Sequence, residues 1–196
     1  MPESTLVVKV GGALHAVPGA LDDVAEALPR LASCRPVVVV PGGGPFADAV
    51  RRAQVTLAYT EATAHWMAIL GMDQYAHVLA ARIPGAELVE AWGALSRREG
   101  GGVVVFAPYR WMRDADPLPH TWEATSDSVA AVVAARLGAT DLLLVKATSG
   151  TPETLADAFF PRALAPGVAA RCVTTAALLA LARHAAPGGA PPGAPG

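Results

Sequence analysis

The sequence predicts an α/β fold built on a mainly parallel sheet. Short apolar runs alternate along the chain with longer segments of helical periodicity, and this alternation is typical of repeated strand–helix units. Four consecutive valines, Val37 to Val40, are typical of a strand buried between two helical layers. A length of 196 residues is enough for one domain with a substantial core.

The predicted elements follow from the apolar periodicity and from the residues that interrupt it. Strands are predicted at residues 6–10, 37–40, 86–89, 103–106, 141–145 and 171–173, with the strand at 86–89 the weakest. Helices are predicted at residues 21–31, 46–53, 61–83, 126–137 and 175–184. Gly138 is expected to end the helix before it, and the stretch from Pro108 to His120 is expected to be irregular.

The end of the chain differs in composition from the rest. Residues 187–196 are only Pro, Gly and Ala, so they offer no side chains that can pack into a core. We therefore predict one domain over residues 1–186 and a disordered tail over residues 187–196.

The bulk composition argues against several classes of partner. The net charge is −2, which disfavours a nucleic acid or an anionic membrane as a partner. No apolar run reaches the roughly eighteen residues of a transmembrane helix, and the start of the chain lacks the features of a signal peptide. Cys34 and Cys172 show no metal-ligand spacing, so we predict a cytoplasmic protein with reduced thiols and no metal site.

The two lysines are the most informative residues of the chain. Of the 15 Lys and Arg residues, only Lys9 and Lys146 are Lys. Lysine carries a compact point charge that can follow a moving phosphoryl group, whereas arginine presents a rigid planar fork. Each lysine ends an apolar run and precedes a loop that contains glycine, which indicates a phosphate site. Chance survival of two surface lysines is the alternative.

Three loops that contain glycine follow predicted strands, namely Gly11-Gly12, Gly42-Gly43-Gly44 and residues 147–150. At the carboxyl ends of parallel strands such loops bring backbone N–H groups close to an anion, and a following helix adds the positive end of its dipole. Two separate glycine loops would hold two anionic groups, a donor and an acceptor. The alternative is that these glycines only form tight turns.

Asp127 is the third candidate, in the run Thr125-Ser126-Asp127-Ser128 at the start of a predicted helix. Two lysines that face one transferring phosphoryl group repel each other, and a carboxylate between them would hold both in place. Ser126 and Ser128 are placed to donate to that carboxylate or to phosphate. The alternative is an ordinary aspartate at a helix N-terminus, favoured by the helix dipole.

The predicted helix at residues 61–83 is apolar on most faces. It is therefore expected to pack between the sheet and another surface, and it predicts a homo-oligomer. His65 and His77 lie on this helix and are predicted to be interior or interface residues whose hydrogen bonds are satisfied.

Taken in order, these elements resemble the amino acid kinase family, which includes acetylglutamate kinase, aspartokinase, carbamate kinase and bacterial uridylate kinase. The resemblance rests on Val8-Lys9-Val10-Gly11-Gly12, the loop Gly42 to Gly44, the run Thr125 to Ser128 and the strand that ends before Lys146. It covers most of the chain and implies a three-layer α/β/α sandwich. It also implies ATP-dependent phosphoryl transfer to a carboxylate, a carbamate or a phosphate.

The resemblance implies a role for each candidate residue. Lys9 and Lys146 would stabilise the transferring phosphoryl group, and Asp127 would hold the two lysines in place. The expected ATP ligands are Lys9, Gly11, Gly12, Lys146 and Gly150. The expected acceptor ligands are Gly42, Gly43, Gly44, Asp48, Arg51 and Ser126. Mg²⁺ is expected to be carried by the phosphates rather than by a carboxylate cage.

Within the family, residues 44–51, residues 64–75 and Trp122 are similar to a shorter branch, the kinases of methanofuran biosynthesis. That branch converts [5-(aminomethyl)furan-3-yl]methyl phosphate to the diphosphate. The likeness implies a phosphorylated acceptor with an amine, which Asp48, Asp114 or Asp116 would face. A uridylate kinase and a non-catalytic binder of nucleotides or oxyanions are the alternatives.

Two departures from the family pattern concern the nucleotide end. Ala13 stands where many members have Ser or Thr, and Thr148-Ser149-Gly150 stands where many have Asp-Gly.

Overall fold

A computed structural model describes residues 4–97 and 100–185 of the chain. Its centre is a six-stranded sheet in the order β3-β4-β2-β1-β5-β6, in which all neighbouring strands pair in parallel. The strands are β1 (Leu6–Val10), β2 (Val37–Pro41), β3 (Glu87–Val89), β4 (Val103–Phe106), β5 (Asp141–Val145) and β6 (Ala169–Val173). Helices cover both faces, so the predicted three-layer α/β/α fold is confirmed.

The helices connect these strands. They are α1 (Ala20–Ala32), α2 (Gly44–Leu57), α3 (Glu61–Arg82), α4 (Trp92–Ser96), α5 (Tyr109–Ala115), α6 (Ser126–Leu137), α7 (Pro152–Leu155), α8 (Phe160–Ala163) and α9 (Thr175–Ala185), and a 3₁₀ turn covers Gly12–Ala16. Local chemistry explains several of their ends. The Thr60 side chain accepts a hydrogen bond from the Thr63 N–H at 3.2 Å and so caps α3. Gly138 follows α6 with a φ of 66°, which glycine adopts without strain.

Each face of the sheet has its own hydrophobic core, because successive strand residues point to opposite faces. Leu6, Val8 and Val10 pack with α1 and α9 in one core. Val7 packs with α5 and α6 in the other. Lys9 shares the face of Val7, so the strand pattern directs its side chain toward α6.

The order of the strands places a topological switch at β1. Strands β2, β3 and β4 lie on one side of β1 in the sheet. The chain then crosses over, and β5 and β6 lie on the other side of β1. In open parallel sheets a crevice opens at such a point, beyond the carboxyl ends of the strands. The loops after β1, β2 and β5, which carry the predicted glycines and Lys146, therefore meet at one edge of the sheet.

Two sequence predictions about secondary structure were wrong. The stretch from Pro108 to His120 is not irregular throughout, since it contains α5, whose Trp111 and Met112 are buried. The second helix begins at Gly44 and ends at Leu57, two residues before the predicted start and four residues beyond the predicted end. In α5, packing of Trp111 and Met112 against the rest of the fold outweighs weak local periodicity. The last turn of α2 is not held by packing, because Val55 and Leu57 are 87% and 69% exposed. The predicted tail at residues 187–196 lies outside the described residues.

Helix α3 buries much of its apolar surface within the chain, through residues that include Ile69, Met72, Tyr75 and Leu79. Leu70 on the same helix is 43% exposed. The homo-oligomer stays a prediction. No helix in the ranges 4–97 and 100–185 is long and apolar enough to cross a bilayer.

Candidate active site

The glycine loops after β1 and β2 touch each other through their backbones. The Gly42 N–H donates to the Val10 carbonyl at 2.8 Å, and the Gly11 N–H donates to the Val145 carbonyl at 2.9 Å. A Cβ added to Gly42 would lie 2.4 Å from the Gly12 nitrogen, a distance that no side chain can occupy. The glycines are therefore required for this close approach, which leaves the ends of β1, β2 and β5 around one point.

Lys9, Asp127 and Lys146 form one cluster at this point. The Lys9 Nζ lies 2.9 Å from Oδ1 of Asp127, and the Lys146 Nζ lies 2.7 Å from Oδ2. Lys9 and Asp127 are each only 4% exposed. Lys146 also donates a hydrogen bond to the Leu155 carbonyl at 2.8 Å. One carboxylate thus bridges two ammonium groups, from β1 and from the residue after β5, and these three side chains together carry one net positive charge.

Burial and charge act against each other within this cluster. Burial would raise the pKa of Asp127, but the ammonium groups of Lys9 and Lys146 outweigh it and hold that pKa below its usual range. Burial lowers the pKa of Lys9, and Asp127 opposes this effect while Lys146 adds to it. A phosphate placed beside the two lysines would compensate the remaining positive charge, so the cluster is suited to bind an anion.

A carboxylate from a distant loop fixes the position of Asp127. Asp157, between α7 and α8, accepts hydrogen bonds at 2.9 Å from both the backbone N–H and the hydroxyl of Thr125. Asp157 also accepts a hydrogen bond from the Ser128 N–H at 3.0 Å and another from the Ser128 hydroxyl. Thr125 and Ser128 flank Asp127 at the first turn of α6. Asp157 therefore satisfies N–H groups that a helix start leaves free, and it orients the turn that carries Asp127.

A cavity of about 240 Å³ opens beside the glycine loops. Its polar side includes Gly43, Gly44, Arg51 and Ser126. Gly44 begins α2 with a φ of +54°, and a Cβ there would lie 3.1 Å from the ring of Tyr75. The first N–H groups of a helix have no partner within it, so α2 presents donors and the positive end of its dipole to this region.

Arg51 and Trp122 form a wall between this cavity and a second, more open cleft. The Arg51 guanidinium lies 4.2 Å from the centroid of the Trp122 ring, and the indole N–H of Trp122 donates to Gln54 at 2.8 Å. Both residues line the 240 Å³ cavity and the neighbouring cleft of about 680 Å³. Asp127 and Asp157 line the cleft. The 240 Å³ cavity and the open cleft thus meet near the cluster of Lys9, Asp127 and Lys146.

Most of the predicted site residues lie at these spaces. Lys9, Asp127 and Lys146 form the cluster, and Gly11 and Gly12 lie in the adjoining loop. The predicted acceptor ligands that line the cavity are Gly43, Gly44, Asp48, Arg51 and Ser126. Gly42 is buried behind them in the contact with Gly12.

Other predicted residues lie apart from the cluster. Gly150 is exposed, and a Cβ on it would lie 2.7 Å from Leu155, so it packs against the segment that contacts Lys146. Asp48 pairs with Arg51 at 3.5 Å. Asp116 bonds to His120 at 2.7 Å, and Asp114 is exposed.

The histidine prediction was wrong for the hydrogen bonding of His65. His77 is exposed and so is not an interior residue, and its predicted place at an interface stays a prediction. His65 is buried as predicted, at 5% exposure, but its Nε2 has no hydrogen-bond partner among the described residues. Sequence reasoning also missed Asp157, because no local pattern shows that its loop folds back onto α6.

The donor set fits the phosphates of ATP. Two ammonium groups, the N-terminus of α2 and several hydroxyl groups supply hydrogen-bond donors and positive charge in a small volume. Within the described part of the chain, no group of three or more His, Cys, Asp or Glu side chains is placed to hold a metal ion.

This chain matches one protein-family model, one kinase of similar sequence and several solved structures of similar fold. The family model described as "Amino acid kinase family" matches residues 4–150. The [5-(aminomethyl)furan-3-yl]methyl phosphate kinase of Methanocaldococcus jannaschii is 28% identical over 149 residues. That match covers 74% of this chain and 66% of the length of the relative.

The solved structures show the same fold at low identity. The uridylate kinase of Archaeoglobus fulgidus superposes with a TM-score of 0.69 at 15% identity, over 92% of this chain and 96% of that one. An aspartate kinase from Synechocystis reaches a TM-score of 0.56 at 18% identity, over 78% of this chain and 30% of that one. The family match covers most of the chain, and strands β1 to β5 and the lysine cluster lie within it. The chain therefore belongs to the amino acid kinase family.

Proposed function

We propose that this protein transfers the γ-phosphoryl group of ATP to the phosphate of a small phosphorylated acceptor. The observation that carries the proposal is the bridge from Lys9 through Asp127 to Lys146, in the region where the acceptor cavity and the open cleft meet. In the reaction, an acceptor phosphate oxygen forms a bond to the γ-phosphorus, the bond to the β,γ-bridging oxygen breaks, and ADP leaves.

The cluster supplies what this chemistry needs from the protein. Phosphoryl transfer depends mainly on positioning and on stabilisation of the charge that is spread over the transferring group. Lys9 and Lys146 provide that charge from a buried position, where it acts more strongly than it would in water. Asp127 keeps the two ammonium groups close without full repulsion. Mg²⁺ carried by the ATP phosphates would supply further charge stabilisation.

The acceptor end of the site is the cavity beside the glycine loops. The N-terminus of α2 and the Arg51 guanidinium provide donors for the acceptor phosphate, and the rest of the cavity is largely apolar. The nucleotide would occupy the more open cleft, with its phosphates directed to Lys146.

The acceptor that we favour is [5-(aminomethyl)furan-3-yl]methyl phosphate. The support is the 28% identity to a kinase of that name over three quarters of the chain. A UMP acceptor is the second candidate, supported by the fold shared with uridylate kinases. A non-catalytic oxyanion or nucleotide binder is the third candidate, and the intact lysine cluster argues against it.

An ADP-release assay with purified protein, ATP and Mg²⁺ separates these three functions. The probes are [5-(aminomethyl)furan-3-yl]methyl phosphate, UMP, and the same furan phosphate with a methyl group in place of the aminomethyl group. We expect the highest kcat/KM with the aminomethylfuran phosphate. Equal or better activity with UMP would identify a uridylate kinase. An absence of acceptor-dependent ADP release with every probe would contradict kinase activity.

A further inference from the structure

Arg51 is a long cationic side chain at the boundary between the acceptor cavity and the open cleft. It lines both spaces, and its side chain is 50% exposed. Its ion pair with Asp48 joins two half-exposed side chains at 3.5 Å, and ion pairs of this kind contribute little. A free arginine side chain loses rotamer entropy when it binds a ligand. A group that fixes the guanidinium beforehand would therefore strengthen the binding of an anion.

The ring of Trp122 provides such a contact. The Arg51 guanidinium lies 4.2 Å from the centroid of this ring, a distance at which a cation is attracted by the electrons of the indole. This contact and the Asp48 ion pair are the polar contacts of the guanidinium within the described ranges. Several of its N–H groups therefore remain available to a phosphate.

The indole of Trp122 is itself bound to the helix that carries Arg51. Its N–H donates a hydrogen bond to the side-chain oxygen of Gln54 at 2.8 Å. The Gln54 side-chain amide in turn donates to the Tyr59 carbonyl at 3.2 Å. Gln54 lies three residues after Arg51 on α2, so the two side chains share one face of the helix. Trp122 thus contacts this face at two points, one helical turn apart.

The backbone next to Trp122 is held by a bond that does not involve its side chain. The carbonyl of Glu123 accepts a hydrogen bond from the Phe159 N–H at 3.0 Å. The segment then enters α6, whose first turn carries Asp127. Trp122 therefore joins α2 to the segment that leads into the lysine cluster. A smaller side chain at this position leaves the backbone bond in place.

We infer that Trp122 is a positioning residue, which holds the guanidinium of Arg51 at the phosphate of the acceptor. This inference rests on the proposed function, because it assumes that the acceptor phosphate binds beside Arg51 and the N-terminus of α2. Trp122 then acts on the acceptor through Arg51 rather than by direct contact. Without the indole, the guanidinium is free to turn toward Asp48 and solvent, and the cavity loses a preorganised cation.

A double-mutant cycle tests whether Trp122 acts through Arg51. The variants are Trp122→Leu, Arg51→Ala and the double variant, and Trp122→Phe keeps a ring but removes the bond to Gln54. Calorimetry measures binding of the aminomethylfuran phosphate in the presence of Mg²⁺ and the β,γ-imido analogue of ATP, so that no transfer occurs. The same cycle is run with UMP.

Arg113→Ala is the control for loss of an arginine that lies over a tryptophan. The Arg113 guanidinium lies 4.4 Å from the centroid of the Trp66 ring, and neither residue lines the cavity or the cleft. Thermal unfolding confirms that each variant is folded. If Trp122→Leu does not fold, Gln54→Leu replaces it in the cycle, because it removes the hydrogen bond that fixes the indole.

We expect Trp122→Leu to weaken acceptor binding by about threefold to 30-fold, as the loss of a cation–π contact implies. Trp122→Phe should weaken it less, and Arg113→Ala should behave as the wild type. In the Arg51→Ala background, Trp122→Leu should change acceptor binding by less than about twofold, because no guanidinium is left to hold. Binding of the ATP analogue should change little in every variant.

Unchanged acceptor affinity in Trp122→Leu would overturn the inference. An equal loss with and without Arg51 would also overturn it, since Trp122 would then contact the acceptor directly. Acceptor binding to the wild-type protein without turnover would contradict the proposed kinase function but would leave the cycle intact. If neither phosphate ester binds to the wild-type protein, both the proposed acceptor site and the role of Trp122 are wrong.

Discussion

Lys146 donates a hydrogen bond from its Nζ to Oδ2 of Asp127 at 2.7 Å. Lys9 occupies the other oxygen of the same carboxylate at 2.9 Å, so both lysines depend on one residue for their positions. Lys9 lies in β1 and Lys146 directly follows β5, and these two strands are adjacent in the sheet and pair in parallel. The fold thus places two cations side by side, and a single carboxylate keeps them from repelling each other.

The first prediction concerns this pair. Lys9→Arg and Lys146→Arg should each lower kcat by about 100-fold or more, because a planar guanidinium cannot replace a point charge against a moving phosphoryl group. Lys9→Arg should also destabilise the protein by about 1–3 kcal/mol, because Lys9 is only 4% exposed and the larger group overfills its site. Steady-state kinetics and urea unfolding measure the two effects. Near-normal kcat in either variant would show that the lysine pair is incidental.

The second prediction concerns the acceptor end. Arg51→Ala should raise the KM for the acceptor by about 10- to 100-fold and change the KM for ATP little, because Arg51 faces the cavity beside the glycine loops. Arg52→Ala is the matched control, since Arg52 is the next residue on α2, is exposed and does not line the cavity. A rise in the KM for ATP without a rise in the acceptor KM would mean that the two ends of the site are reversed.

The third prediction concerns Asp157, which we expect to act on Asp127 through the turn that it caps. Asp157→Ala removes the acceptor of four hydrogen bonds, so it should cost about 2 kcal/mol or more of stability and lower kcat more than it raises the acceptor KM. Asp157→Asn should recover part of the lost stability and part of the lost kcat, because its amide keeps one oxygen that can accept hydrogen bonds. Glu153→Ala, an exposed acid on α7, is the control. A lower stability with unchanged kcat would show that Asp157 has only a structural role.

The fourth prediction concerns pH and stability at Asp73. Burial raises the pKa of Asp73 to about 6, although its Oδ1 accepts a hydrogen bond from the Tyr109 N–H at 3.0 Å. The folded state therefore binds this proton more tightly than the unfolded state, and stability decreases as the pH rises from about 4 to about 6. Asp73→Asn keeps the oxygen that accepts from Tyr109 and removes the charge. It should be more stable than the wild type by about 1–3 kcal/mol at pH 8, with a smaller difference near pH 4.

Urea unfolding at several pH values measures this difference. Asp114→Asn serves as the control, because Asp114 is exposed at the end of α5. Parallel stability curves for the wild type and Asp73→Asn across this range would contradict the raised pKa of Asp73.

The sequence was sufficient to predict the parts of this protein that depend on regular periodicity. The strand at residues 6–10 and the helix at residues 126–137 have the predicted bounds, because uniform apolar runs and a glycine stop define them. Parallel strands bring their carboxyl ends to one edge, so the sequence alone predicts that Lys9 and Lys146 lie near each other. Asp127 followed from the electrostatic need for an anion between them.

The sequence was not sufficient where long-range packing decides the outcome. Helix α5 is short, and burial of Trp111 and Met112 stabilises it rather than local propensity. Asp157 reaches α6 from 29 residues beyond Ser128, in a segment without regular periodicity. The burial of His65 could be predicted from its apolar helix, but its missing hydrogen bond depends on how several elements pack together.

The most direct test of the proposed phosphoryl transfer is ³¹P NMR of the wild-type protein with Mg²⁺-ATP and [5-(aminomethyl)furan-3-yl]methyl phosphate, with UMP in a parallel sample. We predict that the singlet of the acceptor monoester is replaced by two coupled doublets of a diphosphate while ATP is converted to ADP. The same mixture with Lys146→Arg should show little conversion over the same time. Unchanged ATP and acceptor signals in both samples, or release of inorganic phosphate alone, would contradict the account.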